Sequence, residues 1–357
     1  MGVRVLYIDD EAVLGSGEAQ AISELLNVPG EFECTLELPP KNFAELPVDH
    51  PDALLVDHDL TTVPEGGGAP VSYMGSTLAS EMRMRQPSCP IALVTRLHLT
   101  AARWQSQLLR QSSDLDLIID KDDIIRTPEK VRGTIISLAE GFKALSKVCD
   151  QDWEKALDLM GADDDERHLL REAGPPVSNG QWNPPQTAKW IRTVVMGYPG
   201  ILYDELTAAT RLGINVDSFR QQGVQDLMRP SRYQGIFGDD EARWWRGRLF
   251  NVAQKLILEH KLQGAISEQF REAYRLKFDD SLEPAICVYD HTPTADWVCH
   301  ILRVPVKQEN SVPYYPDSRP TVMDQARVSF TAIETSDAFD ESLVDADSYE
   351  LVKSLWG

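Results

Sequence analysis

The chain is short of basic charge. Its 357 residues carry 35 lysines and arginines against 56 aspartates and glutamates, a formal net charge of -21. That balance works against a protein that holds a polyanion over a broad face. The deficit belongs to no single tail, since residues 1–150 carry a net -10 and the remainder a net -11. Paired cysteines are missing as well: Cys34, Cys89, Cys149, Cys287 and Cys299 are odd in number, scattered, and nowhere spaced as CxxC. Neither a disulfide framework nor a compact zinc knuckle is expected from them. No run of eighteen apolar residues occurs, and the opening MGVRVLYIDDE has no charged stretch leading into an apolar core, so the expectation is a cytoplasmic protein with no membrane partner. Leu6 stands where a myristoylation signal needs Ser or Thr. No P-loop, Gly-rich dinucleotide motif or Ser-His-Asp arrangement is present, and an enzyme is not expected. What is left is a globular composition, 42% hydrophobic and 25% charged, which excludes wholesale disorder and, at this length, suggests two domains.

Five short runs rich in Val, Ile and Leu recur in the first third, at residues 3–8, 32–38, 53–56, 91–94 and 115–119. Runs apolar on both faces suit strands covered on both sides. Between them, residues 12–27, 41–46, 76–85 and 100–111 have helical periodicity. Another helix is expected from Thr127, which can cap it, with Pro128 at its first position, running through Ser146 toward Met160. This alternation predicts an α/β fold, a doubly wound five-stranded parallel sheet.

In such sheets functional residues gather at the carboxyl ends of the strands. Those ends carry Asp9 and Asp10 after the first run, Asp57 after the third, Thr95 after the fourth and Lys121 past the fifth. Strand-end aspartates are also ordinary turn residues. Convergent carboxylates, however, repel one another unless a cation neutralises them, and oxygen ligands suit Mg²⁺. The set fits phosphoryl transfer to a carboxylate: Asp57 as nucleophile, Asp9, Asp10 and Asp57 with the backbone carbonyl of Asp59 around the metal, and Lys121 and Thr95 on the phosphoryl oxygens.

The pieces VLYIDDE, PDALLVDHDL, IALVT and LIIDK, in this order, resemble the receiver (CheY-like) domain of two-component response regulators, over about residues 1–145. The resemblance implies a flavodoxin-like fold, Mg²⁺, and phosphorylation of Asp57 by a histidine kinase or phosphotransfer protein. It also exposes departures. Asp122 and Asp123 follow Lys121 in place of the family's Pro, bringing negative charge toward the site. Ile118 replaces the switch aromatic, and Arg96 replaces a small residue after Thr95, where it could screen the site or pair with a phosphoryl oxygen. Residues 60–75 are Gly-rich and long enough for a flap over Asp57.

The rest of the chain resembles no family. We divide the whole chain into a receiver-like domain (1–148), a helical connector and loop (149–185), and a mainly helical output region with a smaller β-containing end and an acidic tail (186–357). Residues 204–222 have the spacing of a helix-turn-helix, though Arg211 and Arg220 are its only basic residues. In residues 231–249, Arg232, Arg243, Arg246 and Arg248 interleave with Tyr233, Phe237, Trp244 and Trp245, which suits either nucleic-acid contact or a helical core with the arginines paired to Asp239, Asp240 and Glu241. Residues 201–280 hold 12 basic and 12 acidic residues, a neutrality that favours the core. Residues 285–290, 296–306 and 326–333 are expected as strands, with 311–320 as a Pro- and Tyr-rich separator. Cys299 and His300 would fall on opposite faces of a strand, so they do not make a metal site with His291. The tail, 334–350, has seven acidic residues and no basic one. It could fold on a basic partner or dock on its own domain. The function expected is a signalling protein whose output runs through an unidentified partner protein or a homodimer mate. DNA binding, and an enzyme with a site around His260, His291 or His300, are the alternatives.

Overall fold

The computed structural model describes residues 2–14, 17–45, 51–61, 71–96, 114–177, 181–239, 241–315 and 322–356. The helix expected over 100–111 and the centre of the Gly-rich segment, 62–70, lie outside the described residues. The chain forms two compact units. One comprises Met1–Leu159 with Pro176–Lys189, the other Met160–Pro175 with Trp190–Gly357. Residues 149–185, expected as connector and loop, thus contribute to both. Among the described residues no helix is long and apolar enough to cross a membrane.

The first unit is built on β1 (Val3–Ile8), α1 (Glu18–Leu26), β2 (Phe32–Glu37), β3 (Ala53–Asp57), α2 (Gly75–Arg85), β4 (Ile91–Thr95), β5 (Leu117–Asp120), α3 (Lys121–Arg126) and α4 (Pro128–Val148). All five strands are parallel, in the order β2-β1-β3-β4-β5, the doubly wound flavodoxin-like order. Strand alternation explains why the runs are apolar throughout. Val5, Tyr7, Leu55, Ala92, Val94 and Ile119 meet Ala19, Ile22 and Leu26 of α1 and Val131, Ile135 and Ala139 of α4 on one face. Leu6, Ile8, Leu54, Val56, Ile91, Leu93 and Ile118 meet Leu78, Ala79 and Met82 of α2 on the other.

Helix ends follow local chemistry, with two departures. The stretch 12–27 is not one helix: a 3-10 turn, Asp10–Leu14, precedes α1. Thr127 does not cap α4 with its side chain; its hydroxyl donates to the carbonyl of Asp123 at 3.1 Å and so closes α3 instead. Pro128 does occupy the first turn of α4. That helix stops at Val148, and a separate one, Glu154–Leu159, follows. Trp182, on the returning segment of this unit, donates its indole N–H to the carbonyl of Gln151 at 3.1 Å and meets Trp153 edge-on.

The second unit is mainly helical, with small two-stranded antiparallel sheets at 202–203/244–245, 297–298/305–306 and 311–313/327–329. One core gathers Leu212, Phe219, Met228, Trp244, Leu256 and Phe270 around the helices Arg246–Glu259 and Ile266–Phe278. A second gathers Cys299, Val306, Val312, Val328, Phe330 and Val352. The β expectation here needs correction. Residues 285–290 make an isolated bridge, Ile286 with Pro293, and no strand. The run 326–333 is strand only to Ser329, whose hydroxyl accepts from the N–H of Ala332 and starts a helix, Phe330–Thr335. Conversely Ser311–Pro313, read as separator, is a strand. The acidic tail docks on its own unit: Phe339, Leu343, Val344 and Tyr349 pack on the second core and Val352 is buried in it.

Candidate functional site

The sheet brings the strand-end residues to one edge. Asp57 closes β3, Thr95 closes β4, and Lys121 opens α3 directly after β5, where the Asp120 carboxylate caps the new helix by accepting from the N–H of Asp122 at 3.0 Å. All five strand-end positions are buried: Asp9 is 0% exposed, Asp10 6%, Asp57 7%, Thr95 5% and Lys121 7%.

Lys121 is the hub. Its ammonium lies 2.7 Å from Asp57 Oδ1 and 3.2 Å from Asp9 Oδ2. The other Asp57 oxygen accepts from the N–H of Asp59 at 3.0 Å. Asp59 is itself held by the N–H and hydroxyl of Thr61 at 2.9 and 2.7 Å, and these bonds lower its pKa. Burial would depress the Lys121 pKa, but the charges of Asp57 and Asp9 overcome it and hold the ammonium above its ordinary range. Burial, helped by the charge of Asp9, raises the Asp57 pKa against the pull of Lys121. Thr95 is paired with Asp120 in the sheet, but among the described residues its hydroxyl has no hydrogen-bond partner and stands outside this network.

The donor set can be weighed against a divalent cation. Asp10, Asp57 and the Asp59 carbonyl offer hard oxygens. Among the described residues no three His, Cys, Asp or Glu side chains are gathered closely enough to form a closed metal cage. An open set of one or two carboxylates is what Mg²⁺ uses when it keeps waters and completes its shell with phosphate. Asp10, Asp57 and the Asp59 carbonyl are donors of the hard-oxygen kind that Mg²⁺ takes.

The departures from the receiver pattern now have local causes. Asp122 and Asp123 fill the first turn of α3, where acidic side chains favour the helix dipole, and Asp122 pairs with Arg126 at 3.7 Å. Ile118 is buried against the α2 side of the sheet. Arg96 points to Glu18, the first residue of α1, and pairs with it.

Two residues at the site carry no sequence motif. Gly75 begins α2 against the end of β3, and a Cβ there would sit 2.0 Å from the carbonyl oxygen of Asp57. Only glycine permits that approach. Tyr7 lies in the middle of the apolar run of β1, yet its hydroxyl donates to Asp9 Oδ2 at 2.5 Å. Burial, then the neighbouring Asp9 charge, pushes its pKa far above the ordinary tyrosine range. A hydroxyl inside VLYI was the one available signal, since a buried phenol needs a partner.

In the second unit the aromatic-arginine segment is used for packing. Trp244 and Trp245 are buried and meet Phe219 and Tyr233 edge-on, at 4.9 and 5.5 Å. Arg232 stacks on Trp244, Arg243 pairs with Glu241 at 2.7 Å, Arg246 with Asp324 at 3.2 Å, and Arg248 with Glu166 and Asp163. Within 204–222 the second helix, Val216–Phe219, is one turn with Phe219 buried, too short to lie along a groove. Its two basic residues are also engaged: Arg220 pairs with Glu205 at 2.6 Å, and Arg211 stacks on Trp297 at 4.3 Å. A cavity of about 440 Å³ is lined by Ser311, Arg327, Phe330 and Ser348, not by His260, His291 or His300.

No family model and no curated protein matches the chain. Solved structures do. A LuxR-family DNA-binding response regulator from Staphylococcus aureus is 17% identical, with 38% of this chain and 99% of that one covered at a TM-score of 0.28. A response-regulator receiver domain from Clostridium thermocellum is 18% identical, with 40% and 98% covered at 0.29. A response regulator from Thermotoga maritima, solved with Mg²⁺ and BeF, is 21% identical, with 36% and 96% covered at 0.25. The similarity lies in the N-terminal two-fifths of this chain, and the C-terminal region is unmatched.

Proposed function

We propose that the first unit is a phosphoacceptor module of the receiver type, in which Asp57 takes a phosphoryl group from a histidine kinase or phosphotransfer protein. The observation that carries this reading is the buried ammonium of Lys121 clamped on the Asp57 carboxylate, at the carboxyl edge of a 2-1-3-4-5 sheet. An Asp57 oxygen attacks phosphorus, the P–N bond of phosphohistidine breaks with its electrons going to the imidazole, and an acyl phosphate forms. Lys121 then exchanges a carboxylate oxygen for a phosphoryl oxygen, and the Thr95 hydroxyl, free of other described partners, donates to a second. Mg²⁺, when bound near Asp10, Asp57 and the Asp59 carbonyl, would neutralise the charge that the phosphoryl group brings.

The output reading is contact between proteins, with a partner of the second unit or a second copy of the chain. What supports it over DNA is that the basic residues of the helix-turn-helix-like segment and of the aromatic segment are engaged inside their own unit. The experiment is incubation of the full chain with a small phosphodonor and Mg²⁺, read by intact mass. One phosphoryl group, released by hydroxylamine and absent from Asp57→Ala, is the expected result. No mass increase, or one that persists in Asp57→Ala, refutes the reading.

A further inference from the structure

Asp9 is held more completely than an available metal ligand would be. Its Oδ1 accepts from the N–H of Glu11 at 2.9 Å, and its Oδ2 accepts from the Tyr7 hydroxyl at 2.5 Å and from the Lys121 ammonium at 3.2 Å. It is 0% exposed. Tyr7 is equally buried, packed among Ala19, Ile22, Val94 and Ile119, and its hydroxyl has no other partner among the described residues. A cation that engages Asp9 Oδ2 must displace the phenol or the ammonium, and losing the phenol leaves a buried O–H unsatisfied, which costs free energy.

We propose that Tyr7 is a positioning residue that reserves Asp9 for Lys121. Through this bond Asp9 anchors the ammonium beside Asp57, and its Oδ2 stays engaged when a cation approaches. The inference rests on the phosphoacceptor reading and adds to it a residue that sets metal affinity from one shell further out. Lys121 is at once the phosphoryl contact and the group that Asp9 holds, so the Tyr7 hydroxyl sets how strongly a cation must compete for the site.

The test is Mg²⁺ binding to the full chain, measured calorimetrically with MgCl₂ and no phosphodonor. Tyr7→Phe keeps the ring and removes only the hydroxyl, which opens Asp9 Oδ2; Mg²⁺ should then bind roughly tenfold more tightly, the scale of one hydrogen bond to a charged group. General damage to the site would weaken binding, so the sign separates positioning from mere structural support. The gain should vanish in Tyr7→Phe/Asp9→Asn, because the carboxylate charge that the cation would engage is gone. Tyr7→Leu, which removes the same hydroxyl by another route, should share the gain if Tyr7→Phe folds poorly. Equal or weaker binding by the folded Tyr7 variants overturns the inference while leaving the phosphoacceptor reading intact. Absence of Mg²⁺ binding in the wild type and every variant overturns both.

Discussion

Replacing Lys121 with Met keeps most of the side chain's length and removes its charge. The ammonium is the cation between Asp57 and Asp9, and the three side chains are 9%, 9% and 0% exposed, so solvent screens little of the loss. Breaking a buried pair by deleting one partner typically costs about 3–5 kcal/mol, because the charge left behind is uncompensated. With a urea m-value of roughly 2 kcal/mol/M, that corresponds to a midpoint shift of about 1.5–2.5 M. The pH dependence follows from the direction of the shifts. The Asp57 pKa is already raised above 3.8 by burial, against the pull of Lys121, and without the ammonium it rises further. A carboxyl whose folded pKa is raised takes up a proton more readily when folded, so stability increases as pH falls from the folded value toward the unfolded one and is lost above it. Lys121 itself is held above its ordinary value, so its contribution persists through neutral pH and is lost only as pH rises through its folded pKa. The Met variant should therefore be weakest near neutrality and recover on acidification. Urea titrations of the wild type and Lys121→Met, at about pH 7.5 and about pH 5, decide it. A loss under about 1 kcal/mol at neutral pH, or an equal loss at both values, refutes the reasoning. Adding Asp57→Asn to Lys121→Met should restore part of the stability, since removing both partners is less costly than removing one.

Two further outcomes are expected. Gly75→Ala puts a methyl group 2.0 Å from the Asp57 carbonyl oxygen, so the junction of β3 and α2 must shift. A loss of about 1–3 kcal/mol is expected in urea unfolding, together with slower phosphorylation by the small donor; unchanged stability and rate would show that the junction is freer than its packing implies. Ser329→Ala removes the cap of the helix Phe330–Thr335 and should cost about 1 kcal/mol, measured as a lower denaturation midpoint. Ser329→Thr, which keeps a hydroxyl that can cap, should lose less; a loss equal to that of Ser329→Ala would show that the cap contributes nothing at this buried position.

The first unit was legible because its strands are covered on both faces, so the runs around Val5, Leu55 and Leu93 are apolar without alternation, and because Asp9, Asp57 and Thr95 follow them directly. Tyr7 was not legible: in VLYI it passes for one more apolar residue, and only the fold shows its hydroxyl on Asp9. Gly75 was hidden for a related reason, since a glycine in a Gly-rich stretch does not announce which carbonyl it lies against. In the second unit the strands are two or three residues long, shorter than any pattern of alternation can resolve, and Ser329 turns an apolar run from strand to helix in one step. The adjacent tryptophans and their arginines carried two readings in the sequence, and the fold chose between them through the partners it supplied: Glu241, Asp324 and Glu166 for the cations, Phe219 and Tyr233 for the rings.

The chain passes between its two compact units at residues 159/160, 175/176 and 189/190, and this bears on inheritance. A module on a simple linker can be exchanged as a cassette by one recombination event. Here a cut after residue 159 would separate Trp153 from Trp182, its ring partner within the first unit. A fragment starting at residue 190 would lack Glu166, which pairs with Arg248 inside the second. Neither unit is a continuous stretch of chain, so no single crossover copies either one whole.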